Sequence, residues 1–378
     1  MRIVYTAIRY PPAPGGMEEQ VGAIATAMAA RGHEVSVYTS DLEQHIDFKR
    51  LRGVPAREVR DGVRVTRCFS LHPPHTTWPV QPGLPLALAG AQADLVHAYG
   101  FLYFPMLATH VVAQHKRWPV VFNPIVDRNA ILRHPRYARW LGERMIQSPV
   151  TVTDTAWAVD VLRELGFAAR RFEVVPPGVD IAAYDGVDGA FFSAARRAGE
   201  RPLLFAGRIA SGKGLDVLLR ALPAIRVQFP AVRLHVIGTD FGYLAAARAL
   251  AGELALGDGV TWHGYVARRD LISAYKGAEL LVLPSRYEEF GMVIAEAWAA
   301  GTAVVAAAST AIPFVVDDGV DGLLFPTDDV AACAARVCDL LADDAKRRAF
   351  GLAGQQKVRD RYAWPVIFDQ LESIYRSL

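Results

Sequence analysis

Glu288 and Glu296, separated by seven residues, bracket a segment rich in chemically useful side chains. Pro284-Ser285 precede them, and Phe290-Gly291-Met292 lie between them. A glycine there lets a ligand approach backbone N–H groups where a helix over Val293–Ala300 would begin, and the helix dipole favours phosphate at that end. Glu296 falls one and a half turns into that helix and Glu288 on the loop before it, so both carboxylates can reach one mouth from different heights. A carboxylate that pairs with ribose hydroxyls is a recognition device of dinucleotide folds. The plainer alternative makes Glu288 and Glu289 helix N-terminal charges and Glu296 a solvated one. Against it, Glu296 stands in an otherwise apolar run from Met292 to Ala300, where a lone carboxylate needs a partner.

A second cluster is cationic. Gly207-Arg208 follow an apolar run directly, and Lys213-Gly214 open the next helical run. Two cations beside mobile backbone suit a diphosphate; a solvated loop with two ordinary basic residues fits that segment alone equally well. Gly238-Thr239 and Gly264-Tyr265-Val266 each end a further apolar run, and either is also plain turn chemistry.

These residues need a scaffold, and the pattern of apolar runs supplies one. Strand-like and helix-like runs alternate through most of the 378 residues, which argues for parallel α/β structure in two domains. The first half offers strands at Ile3–Ile8, Val35–Tyr38, Leu95–Ala98, Val120–Phe122 and Thr151–Thr153, with a helix from Glu18 to Arg31 that Gly32 stops. The stretch from Pro176 to about Arg201 lacks strong periodicity and reads as a connection. A second alternation follows, with strands at Leu203–Ala206, Leu234–Ile237, Val260–His263, Leu280–Leu283, Ala303–Ala306 and Leu323–Phe325. Ligands in such folds collect beyond the carboxyl ends of the strands, where all four segments above lie.

Composition adds boundaries. A net charge of +2 and an ordinary apolar fraction make no demand for nucleic acid. Cys68, Cys333 and Cys338 are too scattered for a disulfide framework or a zinc site, which suggests a reducing compartment. No apolar run approaches the ~18–20 residues that span a bilayer, and Tyr10-Pro11-Pro12 ends the first strand before a signal-peptide core forms. The expectation is a cytoplasmic protein, with peripheral membrane contact left open.

Together these segments resemble the retaining GT-B glycosyltransferases called family 4, over nearly the whole chain. Glu288…Glu296 within Pro284-Ser285-Arg286-Tyr287-Glu288-Glu289-Phe290-Gly291 is the most specific match. Gly207-Arg208 with Lys213-Gly214, Pro177-Gly178-Val179-Asp180, Gly15-Gly16 and Asp94-Leu95-Val96-His97 match in order. The resemblance implies two Rossmann-like domains facing each other across a cleft: residues 1–180, rejoined by a final helix over Trp364–Leu378, and a donor-binding domain over 181–363. It implies that Arg208 and Lys213 hold the diphosphate as it leaves and that Glu288 contacts the donor sugar. Gly291, Met292 and Val293, after Phe290, would offer backbone donors to phosphate, and Glu296 would bind the ribose. Tyr265 and Val266 would lie near the base, Gly238 would join the donor site, and Gly15-Gly16 would close over the phosphates. The substrate would be a nucleotide sugar, transferred with retention to a small-molecule or lipid-linked acceptor.

No Asp-x-Asp motif occurs, which agrees with transfer that needs neither metal nor cofactor, the two cations and amide dipoles stabilising the leaving group. Two departures from the family pattern concern the sugar. Asn123-Pro124 stand where a histidine is common, with Asp127 a candidate substitute in the acceptor or sugar pocket, and Phe314 replaces a glutamate after Pro313. Arg128, Arg133, Arg136, Arg139 and Arg144 around Trp140 would suit an anionic acceptor or membrane surface, or form a solvated basic helix; Trp78 and the prolines from Pro73 to Pro85 suggest an acceptor loop. A GT-B-like nucleotide-sugar 2-epimerase is the alternative enzyme. An NAD-dependent oxidoreductase is weaker, because the first strand does not lead into G-x-G-x-x-G, and a non-catalytic nucleotide-sugar sensor would keep the site without turnover.

Overall fold

The computed structural model describes residues 1–45, 47–72, 79–100, 103–126, 136, 140, 148–167 and 169–378. The chain divides into two compact units, Met1–Val175 with Ile367–Leu378, and Pro176–Val366. Asp127, Arg128, Arg133, Arg139, Arg144, Trp78 and the prolines between 73 and 78 lie outside the described residues.

In the first unit the strands are β1 (Arg2–Thr6), β2 (Glu34–Ser40), β3 (Leu42–Gln44), β4 (Lys49–Arg50), β5 (Arg57–Arg60), β6 (Val63–Cys68), β7 (Leu95–Tyr99), β8 (Val120–Asn123), β9 (Val150–Thr153) and β10 (Phe172–Val174). Eight of them form one sheet in the order β10-β9-β8-β7-β1-β2-β6-β5, while β3 and β4 pair separately. Only the β5–β6 contact of that sheet is antiparallel. Strands covered on both faces must be apolar throughout, and β1, β7, β8 and β9 are almost wholly buried. The helix Gly16–Ala30 follows β1 and ends at Arg31-Gly32, with Gly32 left-handed. The final helix, Trp364–Arg376, buries Ile367, Leu371, Ile374 and Tyr375, and from Ile367 onward it belongs to this unit. The Tyr375 hydroxyl meets His97 Nδ1 at 2.6 Å and the Tyr5 hydroxyl at 3.2 Å, and Glu372 pairs with Arg31 at 2.7 Å.

The second unit holds a wholly parallel sheet of β11 (Arg201–Ala206), β12 (Val232–Ile237), β13 (Val260–Gly264), β14 (Leu280–Leu283), β15 (Val304–Ala307) and β16 (Gly322–Phe325). Its order is β13-β12-β11-β14-β15-β16, so the winding reverses between β11 and β14. At such a switch point the loops beyond two neighbouring strands part and leave a crevice. One apolar layer packs the helices Leu215–Gln228 and Val330–Ala342 on one face, and a second packs Trp298, Tyr275 and Phe290 on the other.

The segment from Pro176 to Arg201, expected as a connection, is part of this second layer. Tyr184 and Phe192 are buried in it, and Lys276 Nζ donates to the carbonyls of Tyr184 and Val187 at 2.7 and 2.8 Å. Short 3-10 turns carry no helical or strand period, which is why the stretch looks structureless as a sequence.

Candidate active site

The loops at the reversal of the second sheet hold most of the residues singled out above. Arg208 follows Gly207 at the end of β11, and the segment zips onto the one beyond β12: Ile209 N donates to Thr239 O and Phe241 N to Ile209 O, both at 2.9 Å. A side chain at Gly238 would put its Cβ 1.7 Å from the Gly207 carbonyl, so only glycine permits this approach. Asp240 then accepts N–H bonds from Gly242, Tyr243 and Leu244, fixing the loop at the start of the helix Leu244–Glu253. Phe241 stands at the tip, 56% exposed, with the guanidinium of Arg208 over its ring.

Lys213 sits in the turn Ser211–Lys213, and Gly214, left-handed at φ +64°, seats that turn against the end of β14. Arg286 completes the junction. Its backbone N–H donates to Gly212 O at 2.9 Å, and its guanidinium binds both oxygens of Asp216 and one of Asp328. Those carboxylates hold the Arg286 guanidinium protonated well above its usual range.

Lys213 Nζ meets Glu288 Oε1 at 2.6 Å, joining the two sequence clusters. Gly291 caps the helix Met292–Ala299 in the left-handed conformation without a capping side chain, leaving first-turn N–H groups of Met292 and Val293 to water or ligand. Among the described residues, the buried hydroxyls of Ser285, beyond β14, and Ser309, beyond β15, have no hydrogen-bond partner. Orphan buried hydroxyls in a native fold ask for an explanation, and a bound polar molecule supplies one.

Glu296 does have the partner its apolar helix requires. Arg268 donates to Oε1 at 2.5 Å and the buried Tyr275 hydroxyl to Oε2 at 2.8 Å. Burial, with the Glu296 charge beside it, holds the Tyr275 phenol protonated far above its usual range. Phe290 turns its side chain inward, edge-on to Tyr362 at 5.1 Å between centroids. It thus packs the core, and only its backbone faces the loop. Tyr265 is 80% exposed and Val266 packs against the inner layer.

In the first unit the winding reverses between β1 and β7. Gly15 caps the helix that follows β1 and Gly16 opens it, and a Cβ at Gly15 would lie 2.0 Å from Glu18 Oε2. Glu18 is buried and paired with Arg9 at 2.7 Å. Asn123 ends β8, buried, and lies opposite Tyr99 in the register. Beyond β9, desolvation pushes the Asp154 carboxyl up to about 7.

Sequence reading passed over Phe241, Arg268, Tyr275, Ser309, Thr310 and Asp154. Arg268 and Tyr275 stand seven residues apart on one helix face, a spacing that pairs them only once the helix is known. Among the described residues, no group of three or more His, Cys, Asp or Glu could hold a metal ion, and no helix is long and apolar enough to cross a membrane.

The comparisons with known proteins agree with the fold. Residues 188–357 match the family described as Glycosyl transferases group 1, and residues 14–183 the one described as Glycosyltransferase Family 4. The chain is 32% identical to a D-inositol 3-phosphate glycosyltransferase of Xylanimonas cellulosilytica, covering 93% of this chain and 88% of that one. It is 27% identical to the GDP-mannose-dependent alpha-(1-6)-phosphatidylinositol monomannoside mannosyltransferase of Mycobacterium tuberculosis, over 100% and 98% of the two chains. In fold it is similar to Anabaena Alr3699/HepE in complex with UDP, with a TM-score of 0.80 at 19% identity, each chain covered in full. Sucrose-phosphate synthase from Thermosynechococcus elongatus gives 0.78 at 23%, over 100% and 98%. With two Rossmann-like units, a cationic switch-point loop and the Glu288…Glu296 pair in place, the chain belongs to the family 4, or group 1, glycosyltransferases of GT-B fold, and it is a glycosyltransferase.

Proposed function

We propose that the enzyme moves a glycosyl group from a nucleoside-diphosphate sugar to an acceptor hydroxyl, with retention of anomeric configuration and without a metal. The observation that carries this reading is the convergence of Arg208, Lys213, Glu288 and the uncapped start of the helix Met292–Ala299 at one sheet reversal. Breaking the anomeric C–O bond leaves negative charge on the diphosphate, and fixed cations and amide dipoles stabilise that charge most in the transition state. The acceptor oxygen forms its bond to the anomeric carbon on the face the diphosphate leaves, through an oxocarbenium-like transition state, and the acceptor proton passes to the departing phosphate oxygen. Glu288, held by Lys213, faces the sugar, and Glu296, held by Arg268 and Tyr275, faces the ribose. Glu288 and Glu296 are therefore not the acid and nucleophile of a hydrolase.

The relatives' names point to a phosphorylated or lipid-linked polyol as acceptor; we place the reaction in the cytoplasm, with contact to a membrane surface where the acceptor is a lipid. Gly15, Gly16, Asn123 and Asp127 are assigned to that side, and Gly238, Tyr265 and Val266 to the nucleotide. A thermal-shift panel with UDP, GDP, ADP, TDP and NAD, with and without magnesium, tests the reading. A nucleoside diphosphate at a hundred times its Kd should add about 2.7 kcal/mol of stability without magnesium and none in Arg208→Ala. Silence from all four diphosphates would sink it, and turnover that needs no acceptor would move the assignment to a 2-epimerase.

A further inference from the structure

Thr310 is a β-branched residue with φ +43°, in the left-handed region that such residues avoid. Its neighbours show what the conformation achieves. The Thr310 hydroxyl accepts the Glu288 N–H at 2.9 Å and donates to the Glu288 carbonyl at 2.5 Å. Ala311 N–H donates to the same carbonyl at 3.3 Å. Both polar groups of the Glu288 backbone are therefore held from the loop beyond β15, while Lys213 holds the side chain at Oε1.

From this geometry we infer that Thr310 is a positioning residue for Glu288, its strained backbone aiming one hydroxyl at the peptide that carries the sugar-facing carboxylate; the inference rests on the donor-site reading above. Strain at an ordinary turn would be relieved by glycine, the residue to which this conformation is native. Here glycine would relieve the strain and lose the clamp, which separates positioning from mere support of the fold.

Three substitutions distinguish the roles. Thr310→Gly relaxes the backbone and removes the hydroxyl. Thr310→Val keeps the shape and removes the hydroxyl. Thr310→Ser keeps the hydroxyl. Each protein is melted with and without UDP and GDP, and nucleoside-diphosphate release from UDP-glucose and GDP-mannose is followed with inositol phosphate as acceptor. We expect Thr310→Gly to melt at or above the parent and to keep its shift with the diphosphate. Its kcat should nonetheless fall on the order of 10- to 100-fold, the scale of a misplaced active-site group, with little change in donor KM. Thr310→Val should lose a similar factor and Thr310→Ser should keep most of the turnover. Deuterium uptake across residues 285–291 should rise in the glycine and valine variants and not in the serine one. Full activity in Thr310→Gly, or equal losses in the serine and valine variants, would overturn the assignment. A parent enzyme inert with both donors and silent to both diphosphates would remove the donor-site reading and this inference with it.

Discussion

The guanidinium carbon of Arg208 lies 5.4 Å from the centroid of the Phe241 ring. No carboxylate among the described residues neutralises this arginine, unlike Lys213, Arg268 and Arg286. The ring holds the cation without cancelling its charge, which leaves the charge available to an anion. A cation–π contact at an exposed site contributes about 0.5–1 kcal/mol. Phe241→Ala should therefore weaken nucleoside-diphosphate binding by roughly two- to fivefold in calorimetric titration, and Phe241→Trp should restore it. An unchanged Kd in Phe241→Ala would mean that the ring does not position Arg208.

Tyr275 gives a stability prediction. Its buried hydroxyl is the inner of the two donors to Glu296. Tyr275→Phe removes a hydrogen bond to a charged group and should cost about 1.5–3 kcal/mol in urea unfolding followed by a probe in the second unit. The same variant should weaken donor binding if Glu296 meets the ribose.

Acid should loosen the second unit. His235 Nδ1 lies 3.0 Å from His263 Nε2, and burial with that neighbour pushes His235 down to about 4 from its ordinary 6.5. Because the folded value is depressed, the unfolded chain takes up protons first. The contribution is complete above pH 6.5 and fades as pH falls from there toward 4. Urea midpoints for the second unit should decline between pH 7 and pH 5, and His235→Phe should flatten that decline.

Glycine substitutions should separate close approach from open turn. A Cβ at Gly214 would fall 1.9 Å from the Pro284 carbonyl, and at Gly238 1.7 Å from that of Gly207. Alanine at Gly238 forces two strand ends apart, and at Gly214 it drives the turn off the end of β14; either should lower stability by more than about 1 kcal/mol while abolishing the diphosphate-induced thermal shift. Gly212→Ala, where a Cβ meets nothing within 4 Å, should melt with the parent.

Legibility followed how local each signal was. Leu280–Leu283 reads as a buried strand and forms one with those bounds, because four consecutive apolar residues suit a strand covered on both faces. Arg57–Arg60 was missed because an edge strand exposes its side chains and can be almost wholly polar. The same holds within the site. Arg208, Lys213, Gly291, Glu288 and Glu296 lie in short segments whose types suggest a ligand. Thr310, Phe241 and Arg268 meet Glu288, Arg208 and Glu296 only once the chain has folded, and although flagged residues stand near them, their own types do not mark them. Phe290 shows the converse, a residue inside the motif whose side chain serves the core.

The residues from Ile367 onward complete the first unit, where Tyr375 meets Tyr5 and His97. On the ribosome those residues emerge only after the whole second unit has been made. The first unit must then wait with every strand of its sheet made but without its last helix, the site of Tyr375 unfilled, while its neighbour is synthesised and is free to fold. The order of completion in the cell would run opposite to the order of translation.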